Sequence, residues 1–215
     1  MSRVDVDGVG IEYEVYGEGR PVVLLHGFPD SGRLWRHQVP ALAWALASVA
    51  PGSVDHVAVL SVGNPVTFLR TLEQKQKSWY MLLFQFPGIA ERWLTENSWA
   101  NFRRWAAHPD TDGVIADLDA DGSLTPGLNW YRANVAPEFW VGPPPQLPPV
   151  QAPAMGIWST GDIALTEVQM TDSAQNVAGP WRYERLDGPG HWMQLDAPAT
   201  VNQLLLDFLP ADPVP

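Results

Sequence analysis

Four short strand-like runs, with long helical stretches between them, restrict this chain more than any other feature. Pro21 to Leu25 (PVVLL) is a continuous apolar run that ends in His26-Gly27. A strand buried on both faces reads this way, as in a mostly parallel sheet. Val54 to Val62 (VDHVAVLSV), MGIWS and WRYERLD repeat the signal later in the chain. Between the first two lies Pro40 at a first helical position, then ALAWALASVA, stopped by Pro51-Gly52. That helix has no charged face, which predicts deep burial against a sheet. Residues 3–16 alternate around Asp7-Gly8 with a period of two and predict a β-hairpin.

From Thr67 to about Asn134 the texture changes to Trp-rich segments of helical spacing, FLRTLEQKQKSWYMLLFQF and IAERWLTENSWANFRRWA, without a strand signal. A connector too dense in proline for a helix or central strand follows, PEFWVGPPPQLPPVQAP. A closing amphipathic helix, VNQLLLDFL, comes after the last strand. Strand, helix, strand, insertion, strand, helix, strand, helix is the order of a parallel sheet carrying an inserted lid. The expected organisation is an α/β core of residues 1–65 and 150–215, interrupted over 66–149 by a helical cap with its Pro-rich connector.

Charge and composition narrow the partners. A net charge of −11, with the acids scattered, repels phosphate backbones and anionic lipid, so neither nucleic acid nor a membrane surface is expected. With no cysteine, disulfides, thiolate catalysis and Cys-ligated metals are excluded. The histidines His26, His37, His56, His108 and His191 never pair at helical ligand spacing, so no metal is expected, and nothing points to an organic cofactor. MSRVDVDGVG has early acids and no apolar signal segment, and no apolar run spans a bilayer, which makes cytoplasmic placement the expectation.

Chemistry concentrates in four places. His26-Gly27-Phe28-Pro29 follows a strand, where backbone amides can face a reacting oxygen; as plain structure it is a turn. Asp162 in WSTGD and His191 in DGPGHW each follow a strand's C-terminal end, where crevices of open α/β sheets form. A carboxylate there can orient an imidazole as general base, whereas the plain reading is a surface Asp and a turn His. Gly188 and Gly190 free the backbone around the His and favour chemistry. Tyr80 in WYMLLFQ and Tyr131 in LNWYRAN are phenols that could converge on a developing alkoxide; singly, each reads as a packing aromatic.

Taken together and in order, HGFPDSGRLWRHQVPALA, WALASVAPGSVDHVAVLSVGNP, SWYMLLFQFPGIAE with LNWYRAN, GIWSTGD and GPGHWMQLDAP resemble the α/β-hydrolase-fold epoxide hydrolases, relatives of the haloalkane dehalogenases. The paired tyrosine segments are the most specific part of the match. The resemblance implies an α/β-hydrolase fold, a small apolar epoxide-type substrate, and a two-step mechanism through an alkyl-enzyme ester. It assigns Tyr80 and Tyr131 as donors to the epoxide oxygen, Asp162 as orienting acid and His191 as base. His26, Gly27, Phe28 and Pro29 form the oxyanion side, with the Phe28-Pro29 bond expected to be cis.

One family element is missing. Between VPALA and WALASVAP the family places a strand, a helix and a second strand ending in the nucleophile elbow, whose Asp attacks the epoxide. Here the two segments abut. Two βα units, about 60 residues at about 30 per unit, are absent. No Ser has Gly at both −2 and +2 to serve as a substitute elbow, and Asp162 already fits the acid position. The expectation is a core sheet shortened by about two βα units, with hydrolase descent and impaired or absent turnover. The alternatives are a non-catalytic binder of an apolar ligand or partner chain and a poorly folded deletion product, with oligomeric state open.

Overall fold

The computed structural model describes residues 2–6, 9–15, 21–23, 25, 28–29 and 41–210. Strands β1 (Ser2–Val6) and β2 (Val9–Tyr13) pair antiparallel with Val6 opposite Val9, the hairpin the alternation predicts. Its Asp7-Gly8 turn lies outside the described residues.

The core is a parallel sheet of β3 (Val57–Leu60), β4 (Ala154–Gly161) and β5 (Trp181–Gly190), in the order β3-β4-β5. β4 is the central strand, and Ala154, Met155, Ile157 and Ser159 are fully buried. Both faces of the sheet are covered, as a parallel sheet requires. Helix α1 (Ala41–Val49) presses Trp44 and Ala47 onto one face, and the Trp44 indole donates to the Val62 carbonyl at 3.0 Å. The C-terminal helix, Pro198–Phe208, covers the other through Val201, which packs with Leu60, Met155, Ile157 and Met193.

Two sequence expectations change here. PVVLL is not a strand among its described residues, and Val22 and Val23 are 59% and 71% exposed. An apolar run becomes a buried strand only when neighbours on both sides take its backbone hydrogen bonds, and no described strand pairs with it. The apolar α1 is also not buried all round: Leu46 and Val49 face outward, because a three-stranded sheet covers a single side of the helix.

Between β3 and β4 the described chain is helical: α2 (Leu72–Lys77), α3 (Tyr80–Leu83), α4 (Ile89–Ala106), α5 (Thr111–Asp121) and α6 (Leu124–Asn134). They enclose a separate apolar cluster around Phe84, Leu94, Phe102 and Leu128. The Arg132 guanidinium locks it, donating to the Phe84 carbonyl and gripping both Glu91 oxygens at 3.0 and 3.1 Å. A fork-to-fork pair this well shielded adds geometric definition that a surface pair would not. IAERWLTENSWANFRRWA is not one continuous helix, since Asn97, Ser98 and Trp99 adopt left-handed backbone and kink α4. The Asn101 amide bonds the Trp93 carbonyl across that kink. α7 (Glu167–Thr171) and α8 (Met193–Asp196) follow β4 and β5, which makes the C-terminal helix α9.

Leu94→Ala, which empties a fully buried position of α4, is expected to lower the unfolding free energy by about 2–5 kcal/mol, read from denaturant titration.

Candidate active site

Parallel register builds the centre of the site. Gly161 of β4 pairs with Gly190 of β5, so the next residues, Asp162 and His191, emerge side by side at the C-terminal edge of the sheet. Asp162 Oδ1 accepts the backbone N–H groups of Ala164 and Leu165, both at 2.8 Å, which clamps the carboxylate. Its Oδ2 meets His191 Nδ1 at 2.9 Å. An ionised carboxylate only accepts, so Nδ1 carries the proton and the neutral ring keeps a lone pair on Nε2. Asp162 is fully covered, while His191 keeps one partly open edge.

Burial opposes the charge on both partners, yet each overcomes it through the other. For Asp162, burial would raise the carboxyl, but the His191 charge and hydrogen bonds hold it below the usual carboxylate range. For His191, burial would lower the imidazole, but the Asp162 charge and hydrogen bond lift it above its ordinary value.

Tyr80 and Tyr131 are both buried, with ring centroids 6.2 Å apart and the rings nearly perpendicular. Burial pushes both phenols well up, Tyr80 further through Tyr131 and Asp162, so both remain neutral donors. Together with His191, Trp105 and Trp192, they line a cavity of about 60 Å³ that Phe28 and Pro29 close on one side. The Phe28-Pro29 peptide is cis, as expected from the motif. The Phe28 ring lies against α6 where Gly127 leaves space; any side chain there would overlap it. His26 and Gly27 lie outside the described residues.

Thus His191, Tyr80, Tyr131, Phe28 and Pro29, spread over most of the sequence, meet around one cavity, with Asp162 held against His191 behind the lining. No carboxylate or serine stands among its described lining residues. Ser61 at the end of β3 has a left-handed backbone, φ 61°, but its hydroxyl turns to the His191 carbonyl and away from the lining. Among the described residues no group of three or more His, Asp or Glu is placed to hold a metal ion.

Two contributors escaped the sequence reading. Trp192 donates its indole N–H to the Ala106 carbonyl at 2.8 Å, tying the His191 loop to α4. Its position beside His191 was the available signal. Gln74, fully buried in α2, accepts from the Thr166 N–H and hydroxyl and donates to Ser78 and the Ala164 carbonyl. It joins the Tyr80 segment to the Asp162 loop, and nothing in LEQKQK marks it.

The linkage of the pair sets its pH window. Asp162, lowered in the folded state, contributes stability above the ordinary carboxyl value of about 4, lost as acid protonates it. His191, raised, contributes below its ordinary value of about 6.5, lost as pH climbs through the folded value. The difference in thermal midpoint between wild type and Asp162→Asn is expected to be largest near pH 5–6 and smaller at pH 3 and pH 9.

No family model matches the chain. Epoxide hydrolase A of Mycobacterium tuberculosis is 25% identical over 96% of this chain and 96% of its own. That alignment runs over 310 positions, so at least 95 positions of the relative face no residue of this 215-residue chain. Epoxide hydrolase 3 of Xenopus tropicalis is 29% identical over 80% of this chain and 50% of its own, so the chain spans about half of that relative. The crystal structure of a Bacillus megaterium epoxide hydrolase superposes with a TM-score of 0.81 at 19% identity, covering 96% of this chain and 99% of the other. Among the described residues no helix is long and apolar enough to cross a membrane. Near-complete structural overlap at low identity shows that the chain has the α/β-hydrolase fold, and its sequence is similar to epoxide hydrolases at 25–29% identity.

Proposed function

We propose that this site binds a small apolar epoxide between Tyr80 and Tyr131 and opens it to a diol with water activated by His191. The observation that carries this reading is the pair of buried phenols lining one cavity with His191, whose far ring nitrogen is held by Asp162. The phenols donate to the epoxide oxygen, where charge develops as the ring opens. His191 Nε2 takes a proton from water, whose oxygen forms the new bond to a ring carbon as the C–O bond breaks. The alkoxide takes its proton from a tyrosine, which is restored by the imidazolium through solvent. Residues 66–149 act as the lid over a core of 1–65 and 150–215.

The relatives' alignment length supports an internal gap, which we place between Ala43 and Trp44, removing the elbow aspartate and its strands. Direct attack by water then replaces the ester step, and general base catalysis alone contributes about 10²–10⁴. Turnover is accordingly slow beside a covalent mechanism.

The cavity lining without a carboxylate also favours a second reading, a binder of apolar ligands without chemistry. Diol formation from styrene oxide separates the two. On the first reading His191→Ala lowers the rate by about 10²–10⁴, and Tyr80→Phe or Tyr131→Phe by about 10²–10³ each. Saturable styrene oxide binding with no diol above the buffer rate would leave the second.

A further inference from the structure

We propose that Ser61 and Ser159, outside the cavity, are positioning residues that hold the His191 imidazole on Asp162. The inference rests on the reading of His191 as base, but its test does not need turnover.

β5 leaves regular pairing just before the histidine. Ser159 faces Leu186, yet Gly161 faces Gly190, so β5 spends four residues where β4 spends two. Gly188 takes the left-handed backbone that this excursion requires, φ 106°. An irregular strand end cannot be held by the ladder alone, and here side chains hold it. Thr160 Oγ1 accepts from Gly188 N at 3.0 Å, and Asp196 Oδ2 accepts from Gly190 N at 2.8 Å. The carbonyls of Gly190 and His191 are held by two serines, one on the adjacent strand β4 and one just past the end of β3. Ser159 donates to the Gly190 carbonyl at 2.8 Å and Ser61 to the His191 carbonyl at 3.0 Å.

Both hydroxyls are buried, Ser159 at 0% exposure and Ser61 at 3%, so each is committed to its partner without competing water. Ser61 is itself aimed. Its N–H bonds the Ile157 carbonyl, its carbonyl accepts from the buried Gln169 amide at 2.7 Å, and its left-handed backbone turns the side chain toward the histidine. A non-glycine residue keeps that conformation only when its surroundings over-determine it. Fixing both flanking carbonyls fixes the direction of the His191 Cα–Cβ bond. That direction decides whether Nδ1 meets Oδ2 at 2.9 Å or the ring turns away.

Proton NMR reads this through the low-field resonance of the His191 Nδ1–H shared with Asp162, assigned by its loss in Asp162→Asn. The expected result is a resonance shifted upfield and exchange-broadened in Ser61→Gly and Ser159→Ala, and lost in the double variant, while a cooperative thermal transition persists. Ser61→Gly deletes the hydroxyl and relieves the left-handed backbone, so it keeps the fold if the double variant does not, and the single variants then decide. Leu94→Ala, destabilised from the cap, keeps the wild-type resonance if positioning rather than general stability is read. An unchanged resonance in the folded serine variants, or equal loss in Leu94→Ala, overturns the proposal. If wild type hydrolyses no epoxide, the function proposed above fails while this measurement still stands.

Discussion

The hydrogen bond between Asp162 and His191 is the interaction on which the rest of the site depends. It joins a fully covered carboxylate to an imidazole that keeps one open edge, at the end of two paired parallel strands. Neither group is placed by its own strand alone. The carboxylate is held by two backbone N–H groups of the loop behind it, and the histidine backbone by hydroxyls of Ser159 on β4 and of Ser61 just past β3. Paired in this way, the buried charges offset a desolvation cost that either would bear unaided.

The cap contributes the opposite face by a different physical means. Phe84, Trp105, Tyr80 and Tyr131 pack in edge-to-face and tilted pairs with centroids 5.1–6.2 Å apart, so ring packing holds the phenols. Such pairs have defined angles because ring edges are positive and faces negative. The Glu91–Arg132 clamp and the Gln74 carboxamide then tie this cluster to itself and to the Asp162 loop.

The described sheet is small for the cap it carries. Three parallel strands, covered on both faces, satisfy their own ladder. The apolar segment 21–23 is left exposed, and α1 turns Leu46 and Val49 outward. The cavity still forms, because its parts come from the C-terminal strands and the cap.

Much of this was legible in residue order. Hairpin alternation, the strand at MGIWS, the helix ALAWALASV and the acid and histidine at strand ends follow from periodicity and punctuation, which are local properties of the chain. The tyrosine segments were legible through family likeness alone, since an isolated phenol in a helix looks like any packing aromatic. Other features had no local signal. The α4 kink at Asn97–Trp99, the fate of PVVLL, the bridging role of Gln74 and the serine anchors depend on partners 8 to 130 residues away. The sequence by itself determined most of the helices, the hairpin and the strands of the described sheet, and which side chains can do acid–base chemistry, because those follow from side-chain spacing and chemistry. Only the tertiary structure decided whether an apolar run found neighbours and which buried polar atoms met, because burial and hydrogen-bond satisfaction belong to the assembled fold and not to any stretch of it.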